Sequence, residues 1–153
     1  MLIINMIQRI QTIYLFIASI LMVITNFLPL LKFSVSEQES IIFKTFGIGC
    51  ETITTYPIAI IAILSAILLF ISIFMYKNRI KQIKIASISL FLSIMFYAVF
   101  AIYLWYIKDL IEYTYTSVSF GLILPAISVI LNILAVKAIK ADERLVRSAD
   151  RIR

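Results

Sequence analysis

The sequence has no histidine and a single cysteine, Cys50. The first absence removes the commonest metal and haem ligand and the usual base of an intramembrane serine protease. The second rules out an internal disulfide framework and a membrane disulfide enzyme, both of which need paired thiols. Charge is also scarce, at 14% of residues, and unevenly placed. The stretches 10–31, 57–76, 85–107 and 118–136 hold no Asp, Glu, Lys or Arg. No pair of carboxylates at depth is available for an aspartyl protease, and no ionisable side chain for a proton relay.

What remains is hydrocarbon. Hydrophobic residues make up 63% of the chain and the mean hydropathy is +1.07, far beyond what one soluble core requires. Each uncharged stretch is long enough to cross a hydrocarbon core of about 30 Å as a helix, where backbone groups must pair without water. The first is too long for a secretory signal, and no small-residue cleavage pattern follows it. The expected fold class is an all-α membrane protein: a four-helix transmembrane bundle in a single unit, with an external loop 32–56, a cytoplasmic loop 77–84 and a cytoplasmic tail 137–153.

Basic residues set the expected orientation, because spans retain Lys and Arg on the cytoplasmic side. With both termini inside, Arg9, the middle loop and the tail place eleven cations within, and only Lys32, Lys44 and Lys108 stay outside. The inner segments then total +8 and the outer ones −2. Tyr103, Trp105, Tyr106, Tyr113 and Tyr115 crowd one end of the last hairpin, as amphipathic rings do at an interface. The bacterial inner membrane, multi-pass, is the expected location.

Within the external loop, "KFSVS" and "IIFKTF" alternate around a polar "EQES", the pattern of a short antiparallel hairpin. "GIGCET" resembles a phosphate loop only superficially, since Thr52 stands where a third glycine belongs. Small residues recur at helix-contact spacing as Ala59, Ala62 and Ala66, and as Ala86, Ser89 and Ser93, which predicts close helix packing. Asn26 and Asn132 are the most polar intramembrane side chains. They read as interhelical hydrogen-bonding groups or, alternatively, as the lining of a solute path. Pro125 is expected to kink the fourth span.

The tail is charged and ordered. Lys137, Lys140, Arg144, Arg147 and Arg151 form one helical row, and Ala138, Ala141, Leu145, Ala149 and Ile152 form a second beside it. Cations alone would fix topology; an apolar ridge reaching Ile152 adds a docking face. Anionic lipid headgroups suit a helix that bends onto the membrane, and an acidic protein surface suits one that projects straight. Nucleic acid is not an expected partner.

"MIQRIQTIY" at 6–14 and "KADERLVRSADRIR" at 140–153 resemble the two ends of a family of small four-span inner-membrane proteins of Bacteroidetes bacteria, of unknown function. The resemblance covers the full chain and implies a four-helix membrane bundle with no known activity. It directs attention to Gln8, Arg9 and Gln11 at the inner mouth of the first span. Arg9 is placed either to pair with Glu143 or Asp142 or, more simply, to snorkel as a topological charge. The expectation is a non-enzymatic accessory subunit or scaffold, in a larger membrane complex or a homo-oligomer, without cofactor or metal. Its partner-binding residues would be Lys137, Lys140, Arg144, Leu145, Arg147, Arg151, Ile152 and Arg9. The alternatives are a small transporter or channel using Asn26 and Asn132, and an extracytoplasmic enzyme or metal binder using Glu37, Glu39 and Glu51.

Overall fold

The computed structural model describes residues 2–34, 40–49, 54–108 and 115–150, with side chains described from Ile10 to Ser148 apart from Tyr115. Four helices dominate: α1 (Leu2–Thr25), α2 (Tyr56–Phe74), α3 (Arg79–Lys108) and α4 (Phe120–Asp150). Tyr56–Lys77, Arg79–Lys108 and Phe120–Ser148 are each long and apolar enough to cross a membrane, and Ile10–Thr25 is a shorter apolar helix. These lengths point to a membrane protein. A one-turn 3-10 helix, Met75–Lys77, joins α2 to α3.

Consecutive helices run antiparallel, as the paired residues require: Ser65 meets Ser89 while Ser72 meets Gln82, and Tyr97 meets Leu122 while Arg79 meets Asp142. Both chain ends and the α2–α3 turn therefore share one end of the bundle, here called the basic end. At the opposite end lies a three-stranded antiparallel sheet in the order β2-β1-β3. Its strands are β1 (Leu31–Ser34), β2 (Ser40–Phe43) and β3 (Tyr115–Val118). The alternation in the external loop does produce a hairpin. The third strand was not expected, because Val118 belongs to the fourth apolar stretch; its backbone instead pairs with Leu31.

The first apolar stretch likewise contains more than a helix. α1 stops at Thr25, six residues before Leu31, and its last four carbonyls all find donors. Met22 O accepts from the Asn26 side-chain amide, Val23 O from Asn26 N, Ile24 O from Phe27 N, and Thr25 O from the Thr45 hydroxyl. Helix ends leave four such groups to be satisfied, and here the closing turn meets three of them and Thr45 the fourth. The Thr55 hydroxyl continues the linkage, reaching Lys44 O at 2.9 Å and Thr45 O at 3.0 Å and so tying the start of α2 to the sheet end. Phe33 and Phe43 are buried beneath the sheet, with Phe43 edge-on to Phe100 of α3 at 5.3 Å. The sheet thus caps the bundle with its apolar face inward.

Polar atoms deeper in the bundle are paired across helices. One hydroxyl proton each from Ser65, Ser89 and Ser93 suffices for a closed set. Ser89 donates to Ser65 O, Ser93 to Ser89 O, and Ser65 to Ser93 Oγ at 2.8 Å. Ala62, Ala66 and Ala86 beside them are buried, so α2 and α3 approach closely where small side chains allow it. α4 is one helix through Pro125, whose missing N–H deprives Gly121 O of its usual donor. The Tyr97 hydroxyl donates to the next carbonyl, Leu122 O, at 2.7 Å.

The start of α4 presses directly on the turn after α1. Gly121 N donates to Pro29 O at 3.2 Å, and a Cβ at Gly121 would lie 2.4 Å from that oxygen and 2.9 Å from its carbon. Both atoms are backbone and cannot swing aside. Gly121→Ala is therefore expected to lower stability by about 1–3 kcal/mol, the range for overpacking. Gly49→Ala, whose Cβ would stand 3.4 Å from Ile42 N, should change it by less than half as much. Thermal unfolding of both variants in detergent provides the comparison.

Candidate functional site at the basic end

α4 presents a buried face through Ala135, Val136 and Ile139, and the next position on that face is an acid, Asp142, only 2% exposed. A carboxylate there needs a partner, since burial of a lone charge is prohibitive. Arg79, the first residue of α3, supplies it: Nη2 stands 3.2 Å from Asp142 Oδ2, and Nη1 donates to the Asp142 backbone oxygen at 3.3 Å. The Oδ2 contact has ion-pair distance without hydrogen-bond geometry, so attraction here is mainly Coulombic. Arg79 is held in turn by its helix start, where Asn78 Oδ1 accepts from Lys81 N as an N-cap. The pair pins the lower part of α4 to the α2–α3 turn.

Around that pin the surface is cationic. Lys77, Lys81 and Lys84 are exposed on the turn and on α3, and Lys137, Lys140 and Arg144 on α4. Arg147 is also exposed, and donates to Glu143 one turn back at 2.9 Å. Such an i,i+4 pair on a solvated face contributes about 0.3–0.5 kcal/mol. Leu145 and Val146 are exposed beside the cations. Between the tail helix and the turn is a cleft of 280 Å³, lined by Lys77, Asn78, Arg79, Ile80, Glu143 and Val146.

The expected partner-binding row is thus present on one helix as far as it is described: Lys137, Lys140, Arg144, Leu145 and Arg147. Arg151 and Ile152 lie outside the described residues, as do Cys50, Glu37, Glu39, Glu51 and the side chain of Arg9. The acids weighed as partners for Arg9 are engaged elsewhere, Asp142 with Arg79 and Glu143 with Arg147. Arg79 had looked like one more topological cation, and only its meeting with Asp142 across 63 residues of chain reveals its role. The signal available beforehand was Asp142 falling on the same helical face as Ile139, Ala135 and Asn132, a face too apolar for an unpaired acid.

Asn26 and Asn132 are not brought together. Ser128 donates to Ala18 O, which sets Asn132, one turn on, level with Tyr14; Asn26 is then about 18 Å away along the bundle. Asn132 is fully buried and donates from Nδ2 to Ala86 O at 3.2 Å, joining α4 to α3. Asn26 caps its own helix. Both keep an amide oxygen without a hydrogen bond, and Gln11 keeps its amide nitrogen so.

Removing one member of the buried pair leaves the other uncompensated. Arg79→Met or Asp142→Leu alone is expected to cost about 3 kcal/mol, whereas the double variant should recover most of that loss. Thermal unfolding and limited proteolysis of the tail measure the coupling; simple additivity would show that the pin contributes nothing.

The family model for "Domain of unknown function (DUF4293)" matches residues 7–152. No curated protein matches the sequence. With one match covering residues 7–152, the chain belongs, over nearly its whole length, to the DUF4293 family of unknown function.

Proposed function

We propose that the chain is a non-enzymatic, four-span protein of the inner membrane, with both termini cytoplasmic, acting as an accessory subunit or scaffold. Its role would be to hold a cationic helix rigidly in the cytoplasm for an acidic protein partner. The observation that carries this reading is the Arg79–Asp142 pair, which anchors α4 just where it leaves the apolar bundle. The charge asymmetry between the two ends supports the orientation, since the basic end carries Lys77, Lys81, Lys84, Lys137 and Lys140.

The helix's direction favours protein over lipid as the partner. α4 is continuous through Asp150, so it extends from Lys137 by about 20 Å without a bend onto the membrane plane. Lys137 and Lys140 stay near the headgroups as topological charges. Measured from Lys137, Arg147 stands about 15 Å along the helix, beyond a Debye length of about 8–10 Å, where lipid attraction is largely screened. An exposed leucine flanked by arginines suits an acidic protein groove, with the apolar contact supplying affinity and the charges supplying steering.

A C-terminal reporter fusion is expected to read cytoplasmic. The paired change Arg144→Glu and Arg147→Glu should dissociate the native membrane complex, seen as a smaller species on native gels, while leaving the protein folded and inserted. The wild-type complex should loosen as salt rises from about 0.05 to 0.5 M. A complex indifferent to both treatments would remove the cationic helix from the docking role.

A further inference from the structure

The sheet-side end of every helix carries one large, exposed aromatic side chain. Phe27 stands in the turn that closes α1, Tyr56 opens α2, Trp105 lies in the last turn of α3 and Phe120 opens α4. Phe120 at 79%, and Phe27 and Trp105 at 76% each, are the most exposed large apolar side chains among the described residues, and Tyr56 is 56% exposed. With one such ring on each of four helices, the exposed aromatic surface runs around the bundle. A second copy or a partner protein presents one face and would cover the helices on one side; a layer that surrounds the bundle meets all four.

The heights of these residues match a bilayer boundary. Ser65 of α2 bonds both Ser89 and Ser93 of α3, which sets Phe91 level with Ser65 and, farther along both helices, Phe100 level with Tyr56. Tyr97 bonds Leu122, so Phe120 falls at nearly the same height, and the contact of Gly121 with Pro29 brings the turn holding Phe27 there too. At the basic end of the same span Tyr76, also 56% exposed, lies about 30 Å from Tyr56, the thickness of a hydrocarbon core. Trp105 stands about 8 Å beyond Phe100, the depth of a headgroup layer. Phe43 of β2 meets Phe100 edge-on, so the sheet begins at the boundary and continues beside the last turns of α3.

Resting on the four-span reading, we infer that Phe27, Tyr56, Trp105 and Phe120 form a collar that seats the three-stranded sheet within the outer-leaflet headgroup layer, with the glycerol and carbonyl region of the lipids as its partner. Trp and Tyr rings favour that region because one end of each is apolar and the other polar. Phe27 and Phe120 bury their rings against the tops of the acyl chains. The sheet is a plate set into the interface, not a domain standing above it.

Trp105 is the only tryptophan of the chain, so its fluorescence reports the depth directly. The purified full chain is reconstituted in phosphatidylcholine vesicles carrying a nitroxide on the headgroup, near the top of the acyl chain, or near its end. Trp105 should lose most fluorescence to the headgroup label and least to the chain-end label. In a Trp105→Phe background, Phe27→Trp, Tyr56→Trp and Phe120→Trp should each be quenched most by the headgroup or upper-chain label. Trp105 quenched by no label or chiefly from the chain end, or any of the other three shielded from every label, would overturn the collar. Phe91→Trp in the same background, exposed on α3 near mid-height, separates this from the larger reading. If the chain-end label quenches it while the collar stays unquenched, the collar alone falls; if no label quenches it, the four-span reading falls as well.

Discussion

Most hydrogen-bonding groups inside this apolar bundle are paired by the protein itself, and the places where they pair decide how these four helices meet. Ser65, Ser89 and Ser93 close one set between α2 and α3, Asn132 joins α4 to α3, and Ser128 joins α4 to α1. Individually such contacts contribute about 0.6 kcal/mol on average in membranes. Their larger effect is positional, because a hydroxyl meets a carbonyl at about 3 Å only in one register of the two helices.

The same constraint explains both ends of the molecule. At the sheet end, the closing turn of α1 and the Thr45 hydroxyl leave no terminal carbonyl unmatched, and the three strands absorb the backbone between the helices. Pro29, without an N–H, sits where only its carbonyl is used, accepting from Gly121 N. At the basic end the group to be satisfied is a full charge. Asp142 draws Arg79 inward, and that pairing turns the exit of α4 from the bundle into a fixed point rather than a fraying terminus.

Rigidity at that point suits the docking role proposed for the cationic helix. Lys and Arg side chains lose entropy on docking, and a backbone already held in place lowers the remaining cost of association.

Composition and the spacing of charge were enough to read the number of apolar helices, their antiparallel order and the gathering of cations at one end. Each depends on properties that add along the chain: hydropathy over about 20 residues, and the sign of local charge. The hairpin was legible too, because strand alternation is local. Three things were not. The third strand hid in an apolar run, since Val118 reads as helix until Leu31 lies opposite it. Gly121 looked unexceptional until Pro29 approached within touching distance. Arg79 and Asp142 were each an ordinary surface charge until packing placed one against the other. Periodicity tells which face of a helix is apolar, but not which neighbour that face meets. That choice is made only when the helices pack, because contact energy depends on residues far apart in the chain and close together in space.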